Sequence, residues 1–164
     1  MSHEKNIRKK PKRFPVSPNS VSQYLNFLGD GITINGAAGI FVASSSGNLY
    51  VVDNNNNRVL RWSPGANPST GGVLVASDTL NGPLAVVVTA NEQTLFVADS
   101  NSNSVKKFTL GTNSATIFAG NGTVGSGPYQ LNGPTGLALD STEQYLYVVD
   151  GNNNRIQRFF IPSC

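Results

Sequence analysis

Histidine is nearly missing from this chain. The one histidine is His3, at the start of a 164-residue sequence. A histidine triad or a histidine-ligated metal is therefore excluded from the body of the chain. Cysteine is as scarce: Cys164 is the single one, so no intrachain disulfide can form. It has no histidine near it in sequence, which argues against a thiolate nucleophile. Charged residues make up only 13 % of the chain. No apolar run approaches the roughly 20 residues that span a bilayer, so no membrane partner is expected. Long Ala/Leu/Glu/Lys stretches are absent, which excludes a helical bundle. The cationic N-terminus is not followed by an apolar segment, which argues against a secretory signal. The expected location is therefore intracellular, cytoplasmic or nuclear. Asn121-Gly122-Thr123 fits a glycosylation sequon and reads as chance in such a chain.

Glycine, asparagine and serine are plentiful. Glycine and asparagine tolerate the left-handed backbone angles of tight turns, so many short strands are expected. The charge is uneven. Residues 1–13 hold six of the twelve cations and one acid, Glu4, and the rest of the chain holds six cations against eight acids. The pI of 9.2 therefore belongs to the tail and not to the body. Prolines and like charges over 1–20 read as a disordered basic tail, in which Lys9 to Arg13 could act as a targeting signal.

The body repeats. Gly39-Ile40-Phe41-Val42 precedes Leu49-Tyr50-Val51-Val52-Asp53 and Arg58-Val59-Leu60-Arg61-Trp62. Ala85 to Val88 precedes Leu95-Phe96-Val97-Ala98-Asp99 and Ser104 to Phe108. Gly136 to Leu139 precedes Leu146-Tyr147-Val148-Val149-Asp150 and Arg155 to Phe159. In each, 14 residues separate the Gly/Ala from the Asp, and five separate the Asp from the Arg/Ser. The aspartates lie 46 and 51 residues apart, in the range of propeller blades. The apolar runs before each Asp predict strands covered on both faces, and the alternating segments after it predict strands nearer solvent. Fourth strands are expected at 72–76 and 115–119. The third repeat stops without one, and residues 22–28 supply a matching strand ahead of the first repeat. The expected body is 21–161, with repeats at about 37–77, 83–119 and 134–161.

Asn-Gly-Pro-Thr-Gly-Leu-Ala-Leu-Asp (132–140), Leu-Tyr-Val-Val-Asp (146–150) and Asn-Asn-Asn-Arg-Ile-Gln-Arg-Phe (152–159) resemble the NHL repeat. The Ala-Gly-Asn-Gly connection at 119–122 is similar to that family too. Repeat two departs from it at Ala85 and Ser104, and repeat one at Ala37-Ala38. The resemblance implies an all-β fold, a β-propeller of three four-stranded antiparallel blades in an incomplete ring. Family propellers generally have six blades, so a head-to-tail homodimer completing six blades, or a fragment of a longer protein, is implied.

The turns Asp53–Asn57, Asp99–Asn103 and Asp150–Asn154 fit Asp-x-Asn-x-Asn, the opening of a calcium loop. That loop needs Gly at position six and Glu at position twelve. Here those positions hold Arg58, Ser104 and Arg155, then Pro64, Leu110 and Ile161, so the match fails. The turns read instead as structural, with Asp53 pairing Arg58 and Asp150 pairing Arg155 across them. No metal site, cofactor or catalytic residue is expected. A zinc-dependent amidating lyase of the family uses histidines that this chain lacks. A calcium-assisted lactonase-like hydrolase is the enzymatic alternative. The favoured reading is a non-catalytic scaffold for a protein or peptide partner, contacted through loops on one propeller face. Candidate contacts there are Asn55, Asn56, Asn101, Asn103, Asn121, Asn152 and Asn153. RNA is a weaker candidate partner, because the tail would have to supply the charge.

Overall fold

The computed structural model describes residues 33–66, 72–112 and 114–162. The basic tail at 1–20 and the leading strand expected at 22–28 lie outside these residues, as do His3 and Cys164.

Among the described residues eleven strands follow one another in three sheets. The first blade holds β1 (Ala37–Val42), β2 (Leu49–Asp53), β3 (Arg58–Trp62) and β4 (Val73–Ala76). The second holds β5 (Pro83–Val88), β6 (Thr94–Asp99), β7 (Ser104–Thr109) and β8 (Ser114–Ala119). The third holds β9 (Pro134–Leu139), β10 (Tyr145–Asp150) and β11 (Arg155–Phe160). Every pairing is antiparallel and runs in chain order. The third sheet thus has three described strands, not four. Its fourth, on the sequence reading, falls at the undescribed 22–28.

Local chemistry sets these elements. β2, β6 and β10 are β-branched and aromatic runs, the residues that best fit a pleated, packed surface. Each ends at its aspartate in a single 3-10 turn, closed by an asparagine in the left-handed region: Asn57 at φ 51°, Asn103 at 49° and Asn154 at 51°. Asparagine enters that region more readily than bulkier side chains. A bulge recurs at the start of each first strand, between Ala37 and Ile40, Pro83 and Ala85, and Pro134 and Gly136. A second recurs where β4 and β8 meet their neighbours. Bulges add twist, which suits sheets splayed around an axis.

The blades stack through their first strands, with β1 against β5 and β5 against β9. Tyr50, Val52 and Val59 on the trailing side of the first blade pack with Val86, Val88, Leu95 and Val97 on the leading side of the second. Phe96 and Val105 then pack with Leu146, Val148 and Leu131. β2 and β6 are covered on both faces, as the apolar runs predict. β10 is not. Leu146 and Val148 are buried, while Tyr147 and Val149 are exposed, because among the described residues nothing stacks on the trailing side of the third blade. β3 also differs from expectation. Val59, Leu60 and Trp62 are all buried, so this strand is not near solvent at its start.

Candidate functional site

The turns between second and third strands and the connections between blades gather at one end of the stack. Their organising residue is the aspartate. Asp53, Asp99 and Asp150 are each fully buried. Each accepts a hydrogen bond from the backbone N–H 18 residues earlier: Asn35 at 2.7 Å, Asn81 at 2.6 Å and Asn132 at 2.7 Å. A buried carboxylate needs several such donors, or its lost hydration is uncompensated.

Cations complete each pocket. Arg58 Nε lies 2.6 Å from Asp53 Oδ2, and Arg155 Nε lies 2.7 Å from Asp150 Oδ2. The second blade has Ser104 at the arginine position. There Lys106 Nζ approaches Asp99 Oδ2 at 3.3 Å and donates to the Thr79 carbonyl. The sequence reading missed this substitution. Its signal was available, since residues two apart on a strand share a face, and Lys106 stands two beyond Ser104. Gln157 occupies the same place in the third blade and donates to Asp150 Oδ2 at 3.2 Å. The exchange is imperfect: Asp99 Oδ2 and Ser104 Oγ are buried without a hydrogen bond. At Asp150, burial pushes the carboxyl up. Donors from Asn153, the Asn132 backbone, Arg155 and Gln157 outweigh it, and the group sits below the usual carboxylate range.

The candidate asparagines serve this frame. Asn56 donates to Asp53 Oδ2 at 2.9 Å and to the Thr33 carbonyl at 3.0 Å. Asn153 donates to Asp150 Oδ2 at 2.9 Å and to the Gly125 carbonyl at 2.7 Å. Asn55, Asn101 and Asn152 are exposed, and each donates to the side chain of an asparagine 20 residues earlier: Asn35, Asn81 and Asn132. Those partners precede Gly36, Gly82 and Gly133. At Gly82 (φ +63°) an added Cβ would lie 2.3 Å from Asn101 Nδ2. Asn103 Oδ1 accepts from the Gly133 N–H at 3.0 Å, tying the second blade to the third. Asn57 Oδ1 does the same with Gly82 at 2.8 Å, tying the first to the second. Asn121 Oδ1 accepts from Thr123 N and Thr123 Oγ1, closing a local turn.

The connection from 120 to 133 stands out at this end. Arg155 reaches under it and donates to the carbonyls of Ser126 (2.8 Å), Gly127 (3.0 Å) and Gln130 (3.0 Å). Gln130 folds back, its Oε1 accepting from Gly127 N at 3.2 Å and its Nε2 donating to Thr123 Oγ1 at 3.2 Å. Leu131 is fully buried and anchors the loop in the core. On this braced base Tyr129 is 80 % exposed and Val124 61 % exposed. The sequence reading named Asn121 from this loop and missed Tyr129.

The opposite end holds a second polar cluster. Glu92 accepts from Tyr50 OH at 2.7 Å, Asn48 Nδ2 at 2.8 Å and Ser45 Oγ at 3.2 Å, joining the second blade to the first. Burial pushes its carboxyl up, but these donors and Ser46 bring it down to about 2. Burial, with Glu92 adding to it, pushes the Tyr50 phenol up to about 12. Glu143 Oε1 accepts from Ala90 N at 2.6 Å across the next seam.

Residues 131–159 match the family model for the NHL repeat. The match covers the third blade. The first two blades repeat the third blade's order of aspartate, turn and strand at aligned positions. No curated protein matches the sequence. Among solved structures, a nidogen/laminin complex is similar at 17 % identity and TM-score 0.63, covering 77 % of this chain and 45 % of that one. An auxiliary nutrient binding protein from Bacteroides thetaiotaomicron is similar at 19 % identity and TM-score 0.54, covering 68 % and 34 %. A putative 6-phosphogluconolactonase from Bacteroides uniformis is similar at 19 % identity and TM-score 0.50, covering 77 % and 37 %. The chain thus spans less than half of each. These likenesses establish a shared propeller fold.

No helix among the described residues is long and apolar enough to cross a membrane. Among the described residues no three of His, Cys, Asp and Glu gather as a metal ion would require.

Proposed function

We propose that the chain is a non-catalytic scaffold that binds a protein or peptide through the loop end of its NHL-type blades. The observation that carries this reading is the 120–133 loop. A largely exposed aromatic on a loop braced by Arg155, Gln130, Leu131 and Asn153 is a preorganised contact. Tyrosine offers a large apolar area with few rotatable bonds to freeze, and a fixed loop loses little further entropy on binding. The fold is consistent with such use, since the structure of a nidogen/laminin complex shares it. Blade faces so arranged present loops while the strands stay rigid.

Two other readings have less behind them. A calcium-assisted hydrolase needs converging carboxylates, but Asp53, Asp99 and Asp150 each sit buried in separate blades with a cation beside them. RNA binding needs a basic face. The described residues hold six cations against seven acids, and three of those cations are paired.

The test is a peptide selection. Peptides would be selected from a random library on the full-length protein, and the best one titrated while amide chemical shifts are followed. Shifts should concentrate at 120–133 and the adjoining turns 100–103 and 151–154. Shifts confined to strand edges or to residues 1–20 would refute the reading.

A further inference from the structure

Four Asn-Gly pairs lie among the described residues: Asn35-Gly36, Asn81-Gly82, Asn121-Gly122 and Asn132-Gly133. Such a pair can close on itself, because glycine leaves the amide nitrogen after the asparagine unhindered. The turn frame holds three of the pairs against this. The backbone N–H of Asn35, Asn81 and Asn132 donates to a buried aspartate. Their carbonyls accept from the N–H of Asn55, Asn101 and Asn152 at 3.0, 3.2 and 3.0 Å. Their Oδ1 atoms accept from the side chains of the same three residues. The Gly82 and Gly133 N–H groups are also taken, by Asn57 and Asn103. Exposure does not set the fourth pair apart, since Asn35 and Asn81 are exposed as well. Its bonding does. Among the described residues no hydrogen bond holds the Asn121 main chain or the Gly122 N–H. A Cβ added at Gly122 would lie 3.9 Å from the Ser102 carbonyl, its nearest atom beyond the chain neighbours, so the pair has room to turn. Asn121 Oδ1 meanwhile accepts twice, from Thr123 N at 3.0 Å and from Thr123 Oγ1 at 2.6 Å. Two donors on one amide oxygen draw electrons from Cγ. They also hold the negative charge that develops on Oδ1 when a nitrogen attacks.

We infer that Asn121 is a self-modification site, converting to isoaspartate or aspartate with water as the co-reactant while the fold protects the other three Asn-Gly pairs. Gly122 N gives up its proton to water and bonds to Asn121 Cγ. The Cγ–Nδ2 bond breaks, and the nitrogen leaves as ammonia with a proton returned by water. The product is a five-membered succinimide, which water opens. Opening at the main-chain carbonyl leaves isoaspartate, with the chain routed through the side chain and one methylene longer. Opening at the side-chain carbonyl leaves aspartate. Either product adds a negative charge to the loop. Thr123 carries the change towards Tyr129. Its Oγ1 donates to Asn121 and accepts from Gln130 Nε2 at 3.2 Å, and Gln130 closes the loop onto Gly127 N. Isoaspartate moves the acceptor away from Thr123, so this closure loosens. Any consequence for a bound partner rests on the reading of 120–133 as the contact surface; the modification itself does not.

Peptide mapping by mass spectrometry tests this, on the full chain aged at physiological temperature and mildly alkaline pH, with fragmentation that separates isoaspartate from aspartate. In the native protein Asn121 should convert at least about tenfold faster than Asn35, Asn81 or Asn132, which react only after local opening breaks their frame bonds. In denaturant the frame is gone, and the four rates should converge to within about threefold. Thr123→Val removes the Oγ1 donor at nearly constant shape and should slow Asn121 about threefold to tenfold, while Thr123→Ser should keep the wild-type rate. Amide exchange at 125–131 should quicken in the converted protein. Native conversion of Asn121 within about twofold of the three frame asparagines overturns the inference. So does an advantage of Asn121 that persists unchanged in denaturant, which means that the local sequence and not the fold sets the rate. An unchanged rate in Thr123→Val overturns the activation by Thr123, and unchanged exchange at 125–131 overturns the link through Gln130. The mapping uses no ligand, so its outcome is independent of whether this loop binds a partner.

Discussion

Replacing Arg155 with methionine should both destabilise the third blade and loosen the loop above it. The guanidinium makes one ion pair, to Asp150 at 2.7 Å, and three bonds to loop carbonyls. Removing a partner from a buried ion pair costs about 3–5 kcal/mol. Two facts lower that figure here. The Arg155 side chain is 32 % exposed, so water can reach part of the space it leaves. Asp150 also keeps the Asn132 N–H, Asn153 and Gln157. The freed carbonyls are near the surface and regain water, adding little net. The expected loss is about 2–3 kcal/mol. Urea unfolding should show it as a lower midpoint at unchanged slope. Amide exchange at 125–131 should accelerate, while exchange in β6 should not. The acid limb carries a second signature. The Asp150 carboxyl lies below its unfolded value, so its contribution is complete above the unfolded carboxylate pKa of about 3.9. That contribution disappears as pH falls through the lower folded value. Arg155→Met removes one of the donors that hold it down, so acid unfolding should begin at higher pH. A loss under about 0.5 kcal/mol with unchanged loop exchange refutes the bracing argument.

Two further substitutions probe the frame. Lys106→Met leaves the buried Asp99 without its one cation, and should cost about 2–3 kcal/mol in chemical unfolding. Lys107→Met, on the opposite strand face, is the control and should cost under about 0.5 kcal/mol. Glu92→Gln keeps the shape of the side chain but removes the charged acceptor of Tyr50, Asn48 and Ser45. It should cost about 1–2 kcal/mol at neutral pH. Because the folded Glu92 value is about 2, its share of stability persists above the unfolded glutamate range and fades only as pH falls towards 2. Ultraviolet titration should find the Tyr50 phenol near 12 in the wild type and lower, though still above 10, in Glu92→Gln, since burial remains.

The fold was legible because its signal is periodic. Three apolar runs at a matched distance from an aspartate specify strand, turn and strand without reference to tertiary contacts, and β2, β6 and β10 lie on those runs. The same regularity hid the ends. Leu146–Val149 reads like its two predecessors, but burial depends on a neighbour, and the sequence of a strand does not record whether one is present. The site was legible in part. The asparagine turns could be placed at one end from strand order alone. Their hydrogen bonds could not, because Asn55 with Asn35 and Asn101 with Asn81 meet only once the bulge at the start of each first strand turns the chain back. Lys106 is hard to find in the sequence because the pattern breaks at Ser104, while the replacement cation stands at the next residue of the same strand face. Tyr129 carried no motif at all. Its significance comes from exposure on a loop fixed by Arg155, and neither property is visible in a run of Gly, Ser and Pro.

The most direct test of the account is the affinity of the selected peptide for Tyr129→Ala. Tyr129 is 80 % exposed and touches no core, so folding should be unchanged. An aromatic anchor at the centre of an interface contributes at least about 2 kcal/mol, so calorimetric titration should show binding weakened about thirtyfold or more. Affinity within about twofold of the wild type would contradict the assignment of this loop as the binding surface.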